Sequence, residues 1–419
     1  MKRKAFLVVF LSALALLGCK KDNNPISQDG FVHVRQQGEP VTNPTNSQWC
    51  KPQTAEATLS SLRRYSDRLY YMDYVTDFQL DNLLGGNYRT REDFLQAVND
   101  IMYTPEGEEL VYEKAATACS GFVCRNERGE LLFGRNYDGD DDQLLILFNT
   151  ANGFKNVEFT GPSYVSPLYY NAETMVSDGI LSDGTTSLHR LMNDPLAVLD
   201  GMNEYGLCFG AFQLPAFDYE NISPVYQDNH NDAMSSSLFH NLILSKCKTV
   251  KEVEQYMQNH DYVSTHMILN VHWLLADATG DWGIFEFWDD TLHVYREDEL
   301  YELSFYAGST IPYEWYSIEN YYRSWEPYST YPPSGYTTPD NWQAAFSLKT
   351  RVTHMMNAYK PVMSEMEALQ CLQEGRYNIE VPNHVTGWSC IYNPAQRTVI
   401  FAMRNDMSEI YKVDLKTDL

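Results

Sequence analysis

Three residues in the first third of the chain could together perform nucleophilic chemistry: Cys119, Arg135 and Asp138. The thiolate of a cysteine is the reactive form of its side chain, and a nearby cation favours the thiolate over the thiol. A carboxylate at the same place can hold a protonated amine. The three residue types therefore indicate an activated cysteine, provided that the fold brings them together.

The local sequence pattern predicts that the fold brings these three residues together. Residues 120–135 contain two strand-like runs joined by a polar link with Gly129, which is typical of a hairpin. The first strand leaves Cys119, and the second brings Arg135 and Asp138 back beside it. Two alternatives stand against this interpretation: an inert buried cysteine, and a surface ion pair at the end of a hairpin.

The elements that follow predict the fold class. Strand hairpins are predicted at residues 272–288 and 388–404, and helices at residues 235–259, 347–359 and 364–373. Hairpins grouped together, with helices clustered between them, favour an α+β fold with a mainly antiparallel sheet.

The N-terminus has the features of an export signal. Basic residues at 2–4 precede an apolar run at 5–17, which is too short to cross a bilayer. The run ends in Leu-Leu-Gly-Cys at 16–19, which resembles the lipobox of bacterial lipoproteins. That resemblance implies cleavage after residue 18 and a lipid anchor on Cys19. The alternative is an ordinary secretory signal in which this cysteine is incidental.

Composition excludes other classes of function. The chain has 419 residues, 31 Lys and Arg against 56 Asp and Glu, and a net charge of −25. A hydrophobic fraction of 44% is enough for a globular core. The negative balance opposes sequence-independent binding to phosphate backbones, so we expect no nucleic-acid partner. The sequence contains no cluster with metal-ligand spacing, and we expect neither a metal nor a cofactor.

Four separated blocks add a family resemblance. They read Cys-Ser-Gly-Phe at 119–122 with Gly-Arg-Asn-Tyr-Asp at 134–138, Asp-Gly-Met-Asn-Glu-Tyr-Gly-Leu at 200–207, Ala-Asp-Ala-Thr-Gly at 276–280, and Thr-Gly-Trp-Ser at 386–389. In this order they resemble the N-terminal-nucleophile (Ntn) amide hydrolases of the choloylglycine hydrolase, penicillin V acylase and acid ceramidase group. The similarity is greatest to their linear amide C-N hydrolase branch.

The resemblance implies an αββα four-layer sandwich with mainly antiparallel sheets. It also implies autocatalytic cleavage between Ala118 and Cys119, after which Cys119 uses its own α-amino group as the base. An α-amine titrates near ~8, which suits this role at ambient pH. By the same resemblance Asp138 orients the amine, and Arg135 stabilises the thiolate and the bound carbonyl. The thiolate attacks an amide, and water hydrolyses the thioester.

Three further site residues follow from the resemblance. Gln213 stands where relatives have an asparagine, and it keeps an amide donor for an oxyanion hole. At the second oxyanion position the chain has Ala-Gly-Ser at 307–309, so a backbone N–H or Asn203 would substitute, and we predict that Asn203 binds substrate. For the late active-site arginine we favour Arg351 over Arg323.

These inferences divide the chain into four regions. Residues 1–18 are predicted to be a lipoprotein signal peptide, residues 19–57 a flexible tether, residues 58–118 a helical pro-segment or small subunit, and residues 119–419 the catalytic domain. The prediction of a helical pro-segment depends on apolar residues at helical spacing in residues 58–103. The pro-segment could stay bound non-covalently after cleavage or be discarded, and a homo-oligomer is left open.

The predicted function is hydrolysis of a linear amide in a small-molecule N-acyl amine or N-acyl amino acid. Conjugated bile salts, N-acylethanolamines and penicillin V-like amides all fit. Acyl transfer by the same fold is one alternative. The other is a lipid-anchored binding protein that has lost catalysis, because residues 307–309 lack the usual asparagine. We expect the protein in the bacterial cell envelope, attached to the membrane through Cys19.

Overall fold

The computed structural model describes most of the chain. The described residues are 29–36, 38–41, 55–101, 118–139, 143–161, 188–213, 225–226, 233–235, 238–263, 271–288, 291–296, 317–318, 355, 357–376, 385–404 and 406–419. The predicted signal peptide, Cys19, Arg323, Arg351 and residues 307–309 lie outside them.

Strands make up most of the described structure. They are β1 Val32–His33, β2 Glu39–Pro40, β3 Arg63–Arg64, β4 Leu69–Tyr74, β5 Ala118–Arg125, β6 Leu131–Gly139, β7 Leu144–Asn149, β8 Asn156–Thr160, β9 Asp200–Asn203, β10 Cys208–Gln213, β11 Val225–Tyr226, β12 Ala233–Ser235, β13 Asp261–Val263, β14 Val271–Ala276, β15 Trp282–Trp288, β16 Thr291–Tyr295, β17 Ser317–Ile318, β18 Val385–Asn393, β19 Thr398–Met403 and β20 Tyr411–Asp414.

The helices are fewer. They are α1 Ala55–Ser60, α2 Leu80–Leu84, α3 Arg91–Ile101, α4 Phe239–Lys246, α5 Val250–Met257, α6 Glu365–Glu374 and α7 Leu415–Asp418, with 3-10 helices at Val34–Gln36 and Leu188–Leu196. Within the described part of the chain, no helix has the length and apolar character needed to span a membrane.

Two large sheets form the centre of the fold. One has seven strands in the order β1-β20-β19-β18-β6-β5-β17, and the other has ten in the order β16-β15-β14-β10-β9-β8-β7-β4-β3-β2. Most neighbouring strands are antiparallel, although β4 runs parallel to β7 and β1 parallel to β20. A small third sheet joins β11, β13 and β12. The α+β class with mainly antiparallel sheets is therefore confirmed.

Helices cover the outer faces of both sheets. On the seven-stranded sheet, the outward side chain of Asn136 in β6 donates to the carbonyl of Leu372 in α6 at 2.9 Å. On the ten-stranded sheet, a Cβ built on Gly201 of β9 would lie 3.0 Å from Leu244 of α4. The order of layers is therefore helix, sheet, sheet, helix, and the side chains between the sheets are enclosed on both sides.

The hairpin predicted at residues 120–135 is confirmed as β5 and β6. Its turn is fixed locally: the side chain of Asn126 accepts the backbone N–H groups of Arg128 at 2.9 Å and Glu130 at 3.0 Å. Gly129 adopts a φ of 76°, a left-handed conformation that glycine takes without strain. This turn sets the register that pairs Cys119 with Tyr137.

Most of the later predictions also correspond to observed elements, while the helix predicted at 347–359 lies largely outside the described residues. The hairpins appear as β14 with β15 and as β18 with β19. The helical region at 235–259 appears as α4 and α5, and the helix at 364–373 as α6. Ser364 and Glu367 form a capping box at the start of α6, which explains why this helix begins where the sequence indicates.

The helical description of residues 58–118 is wrong for Leu69–Tyr74, which form strand β4 in the ten-stranded sheet. This run is buried on both faces, so it lacks the alternation that marks a half-exposed strand, and apolar residues at helix-like spacing misled the prediction. The flexible tether is also corrected in part: β1 pairs with β20, and β2 pairs with β3.

Candidate active site

The hairpin of β5 and β6 brings Cys119 and Arg135 into contact. Arg135 lies opposite Gly121, two residues beyond Cys119, so both side chains point from the same face of the hairpin. Nη2 of Arg135 donates to Sγ of Cys119 at 3.5 Å. Cys119 is only 2% exposed and Arg135 is fully buried, so this contact lies between the sheets and away from water.

Arg135 reaches from the seven-stranded sheet to the ten-stranded sheet. Its Nη1 forms an ion pair with Asp200 of β9, and its Nη2 donates to the carbonyl of Ala211 in β10 at 2.7 Å. The guanidinium carbon lies 5.6 Å from the ring centre of Tyr137 and 5.5 Å from that of Phe212. A buried guanidinium needs such partners because removal of a charge from water is strongly unfavourable.

Two glycines leave room for the side chain of Arg135 to reach from one sheet to the other. A Cβ at Gly210 in β10 would lie 2.8 Å from Cδ of Arg135, closer than real Cβ contacts allow. A Cβ at Gly121 would lie 2.8 Å from the ring of Phe212. The two sheets can therefore approach each other around the guanidinium only because both positions lack a side chain.

The surroundings of Cys119 act on its thiol in opposite directions. Burial raises the pKa of Cys119, which is the largest effect; the charge of Arg135 lowers it, and the carboxylate of Asp138 raises it again. A hydrogen bond from the backbone N–H of Asp138 favours the thiolate to a smaller degree. In the uncut chain the thiol is therefore protonated, and a base must take its proton before it can attack a carbonyl.

Asp138 is placed beside the peptide bond that the sequence predicts to be cut. It pairs with Ala118 across the hairpin, and its carboxylate accepts a hydrogen bond from the hydroxyl of Thr386 in β18. Asp138 is 1% exposed. A carboxylate at this register position can hold the α-ammonium group that cleavage before Cys119 would create.

The structure does not bring Asn203 to this site, so its prediction as a substrate-binding residue is corrected. Its side-chain amide donates to the carbonyls of Leu244 at 3.1 Å and Cys247 at 2.8 Å, at the end of α4. Its side-chain oxygen accepts the backbone N–H groups of Tyr205 and Leu207. Asn203 and Asp200 are three positions apart on β9 and point to opposite faces, because side chains alternate along a strand.

Gln213 is the last residue of β10, and its backbone pairs with Val271 of β14. It therefore lies two residues beyond Ala211, whose carbonyl accepts from Arg135. Its side chain is outside the described part of the chain, and the same is true of Arg351. Their predicted roles stay predictions.

Sequence reasoning missed Asp200. This residue opens the Asp-Gly-Met-Asn block at 200–203, so the signal was present, but no local pattern shows which residue of the block faces Arg135. Besides the ion pair, Asp200 accepts hydrogen bonds from the hydroxyl of Tyr392 and from Nε1 of Trp388, the latter at 3.3 Å. Both donors lie on β18 of the other sheet.

Comparison with known proteins agrees with this arrangement. Residues 119–326 match the model of the family described as "Linear amide C-N hydrolases, choloylglycine hydrolase family". The match begins at Cys119, the residue at the head of the site. No curated protein matches the chain.

Solved structures to which the chain is similar carry related descriptions. A mutant conjugated bile acid hydrolase from Clostridium perfringens has 14% identity and a TM-score of 0.41, with 71% of this chain and 92% of that chain covered. Penicillin V acylase from Agrobacterium tumefaciens has 14% identity and a TM-score of 0.37, covering 71% and 87%. An N-acylethanolamine-hydrolyzing acid amidase ortholog from Caenorhabditis elegans has 11% identity and a TM-score of 0.36, covering 66% and 93%.

The family match carries the assignment, and it begins at Cys119, which the buried Arg135 contacts. Over residues 119–326 the chain belongs to the linear amide C-N hydrolases of the choloylglycine hydrolase family, and it is a hydrolase that acts on linear amide C-N bonds.

Proposed function

We propose that this hydrolase is an Ntn enzyme with Cys119 as nucleophile, and that it cleaves the amide of an N-acyl amine or N-acyl amino acid through a thioester. The observation that carries the proposal is the contact of Arg135 Nη2 with Sγ of Cys119 at 3.5 Å, at the head of a buried strand. Asp138 lies opposite Ala118 at the same place, which supports an amine at residue 119.

Maturation of the catalytic unit requires one cleavage. The sulfur of Cys119 attacks the carbonyl carbon of Ala118, and the peptide C–N bond breaks as its nitrogen takes up the proton that the thiol gives up. Water then hydrolyses the thioester and leaves a carboxylate on Ala118 and a free α-amine on Cys119.

Turnover uses the new amine as the base. The α-amine takes the thiol proton, and the sulfur attacks the substrate carbonyl. The C–N bond of the substrate then breaks, and its nitrogen leaves with the proton that the α-amine had held. Water hydrolyses the resulting thioester to a carboxylate. Arg135 stabilises negative charge on the sulfur, and Asp138 keeps the α-ammonium group in place.

We also propose that the segment before Cys119 stays bound after cleavage. Strand β4 lies between β3 and β7, and all six of its residues pair with β7 from Leu69↔Leu144 to Tyr74↔Asn149. Leu69, Tyr70 and Met72 are fully buried in the same core as the catalytic hairpin. Loss of this segment would expose the β7 edge and its apolar side chains to water.

Cys119→Ala tests the nucleophile. We expect the alanine variant to remain one uncut chain and to lose turnover on every member of a panel that contains a conjugated bile salt, an N-acylethanolamine and penicillin V. The panel follows the descriptions of the similar structures. Intact mass and product release are the measurements.

Cys124→Ala is the matched control, since Cys124 is a buried thiol of the same strand whose pKa burial raises. We expect it to cleave itself and to keep its activity. Turnover by an uncut chain, or turnover that does not need Cys119, would contradict the proposal. Absence of Cys119-dependent turnover on all substrates would favour a binding protein instead.

Size-exclusion chromatography tests whether the segment before Cys119 stays bound. The cleaved wild type should elute as one species that contains both fragments.

Localisation belongs to the same proposal. We propose that Cys19 carries lipid and anchors the enzyme in the bacterial cell envelope, which is supported by the Leu-Leu-Gly-Cys sequence at 16–19. Wild type should fractionate with membranes, and Cys19→Ala should not. Equal membrane fractions for the two would remove the anchor from the proposal and leave the enzymatic part untouched.

A further inference from the structure

The carboxylate of Asp200 is the counter-ion of the arginine that contacts the candidate nucleophile. Asp200 and Arg135 are both fully buried, and their ion pair bridges the two sheets. The charge of Arg135 therefore acts on two groups: the carboxylate on one side and Sγ of Cys119 on the other. An ion pair inside a protein is screened far less than one at the surface, so the carboxylate affects how much positive charge the sulfur experiences.

The guanidinium divides its contacts between the two sides. Nη1 is paired with Asp200, while Nη2 donates to the carbonyl of Ala211 at 2.7 Å and to the sulfur at 3.5 Å. Partners in the ten-stranded sheet thus fix the plane of the fork, and Nη2 also points to Cys119. Arginine suits such a task because its donors form a rigid fork.

Asp200 is itself held by the seven-stranded sheet. Tyr392 donates its hydroxyl and Trp388 its Nε1 to the carboxylate. Burial raises the pKa of Tyr392 well above its ordinary value, so its hydroxyl keeps its proton. The rings are fixed as well: Tyr392 stacks on Phe133 at 5.4 Å, and Trp388 stacks on Tyr137 at 3.9 Å.

We propose that Asp200 is a positioning residue of the amide hydrolase reaction, which orients the fork of Arg135 and limits the positive charge that Arg135 presents to Cys119. The proposal deepens the proposed function and rests on its assignment of Cys119 as nucleophile. Asp200 acts on the sulfur through Arg135.

Other titratable groups surround this ion pair and must be considered. Burial raises the pKa of the Cys208, Cys390 and Tyr392 side chains, so these stay neutral near pH 7. The remaining groups on the facing strands are Asp138, Tyr137, and the buried pair of His272 and Glu286 beside Phe212. Of all these groups, only Tyr392 is changed by a variant below.

Asp200→Asn separates the proposal from a purely structural role. The substitution keeps the shape and removes the charge, so Arg135 loses its carboxylate and its positive charge acts more fully on the sulfur. We expect the pH profile of Cys119 alkylation by iodoacetamide to move about one pH unit to lower pH. We expect amide turnover to fall by about 10²-fold, because the fork is no longer held. Peptide mass mapping reads the alkylation at Cys119 itself.

The double variant tests whether Asp200 acts through Arg135. In an Arg135→Gln background, Asp200→Asn should leave the alkylation profile unchanged. Asp277→Asn is the control for removal of a buried carboxylate, since Asp277 accepts the backbone N–H of Val250 and shapes the β14–β15 turn. Asp277→Asn should lower the stability of the protein and leave the pH profile of Cys119 alkylation unchanged. An unmoved or upward profile in Asp200→Asn, or an equal shift without Arg135, would overturn the proposal.

A second variant covers the case in which Asp200→Asn does not fold. Tyr392→Phe keeps the ring stack and removes one donor to Asp200, and we expect kcat to fall about 3–10-fold with little change in KM. Tyr359→Phe is its match, because Tyr359 donates to the carbonyl of Val123 at 3.0 Å on the outer face of the sheet. Equal kcat values for the two variants would contradict the role of Asp200.

The two proposals fail in different ways. Alkylation of Cys119 needs no substrate, so it reports on Arg135 and Asp200 whatever amide the enzyme cleaves. If Cys119→Ala keeps its turnover, the proposed nucleophile is wrong and the inference about Asp200 falls with it. If Cys119→Ala is inactive and Asp200→Asn behaves as wild type in both assays, only the inference about Asp200 is wrong.

Discussion

The two sheets contribute to the site in different ways. The seven-stranded sheet carries the three groups to which we assign the chemistry, and all three come from one hairpin: Cys119, Arg135 and Asp138. The ten-stranded sheet carries the groups that hold the guanidinium, namely Asp200 and the carbonyl of Ala211. These come from strands that follow the hairpin by more than fifty residues along the chain.

The difference shows that the proposed reactive groups are local in sequence and their environment is not. A hairpin fixes its own register through its turn, so Cys119 and Arg135 lie on one face of it by local structure alone, and the second sheet then sets the direction of the guanidinium. The charge of Arg135 is compensated only when the second sheet packs on the first. Substitutions in the two sheets should therefore have different consequences.

The largest effect is expected in the seven-stranded sheet, from Arg135→Gln. This variant removes the cation beside Cys119 and leaves Asp200 buried without its counter-ion. We expect a loss of about 10²–10³-fold in turnover and of about 3–5 kcal/mol in the free energy of unfolding. Since Arg135 lowers the pKa of Cys119, the alkylation profile should move to higher pH. Arg135→Lys keeps the charge and should lose less; equal losses would show that charge is not what matters.

An intermediate effect is expected in the ten-stranded sheet, from Gly210→Ala. The new Cβ would lie 2.8 Å from Cδ of Arg135 and must displace it. We expect about 1–3 kcal/mol of destabilisation and about a 10²-fold loss of turnover, because the fork moves away from Cys119.

Gly283→Ala is the control in the same sheet. Its Cβ would meet Cγ1 of Val294 at 3.1 Å, far from the guanidinium. We expect it to change stability only, as measured by denaturant unfolding alongside turnover. If Gly210→Ala keeps full activity, the space for Arg135 is not set by this glycine.

The smallest effect on activity is expected on the outer face of the ten-stranded sheet, from Glu158→Gln. Burial raises the pKa of Glu158 to about 8, and Asn149 donates to its carboxylate at 3.0 Å. The folded state then keeps a proton that the unfolded state loses above its ordinary pKa near 4.5. The stability of the wild type should therefore fall between about pH 4.5 and pH 8, by up to about 1.4 kcal/mol per pH unit.

Glu158→Gln should remove this slope and leave turnover unchanged, as followed by unfolding at several pH values. The contrasting residue is Glu130 in the turn of the catalytic hairpin, where Arg128 lowers the pKa to about 2. The contribution of Glu130 to the free energy of unfolding is lost only as the pH falls from about 4.5 through 2. Glu130→Gln should therefore leave the decrease in stability between pH 4.5 and pH 8 unchanged. If Glu158→Gln shows the same dependence of stability on pH as the wild type, the dependence does not come from Glu158.

Much of the fold could be predicted from local signals. The β5–β6 turn has Asn126 and Gly129 at the positions that the turn requires, and Ser364 with Glu367 marks the start of α6. These signals involve residues a few positions apart, so the chain carries them without reference to its tertiary structure. Strand β4 could not be predicted in this way, because a strand buried on both faces has no alternation to read.

The sequence alone determined the hairpin that joins Cys119 to Arg135 and Asp138, because turn chemistry and a period of two set its register. Only the tertiary structure decided which residue of the 200–203 block faces Arg135. Asp200 points between the sheets and Asn203 points to α4, and this difference depends on which face of β9 the second sheet covers. That choice comes from the packing of distant strands, and no local pattern contains it.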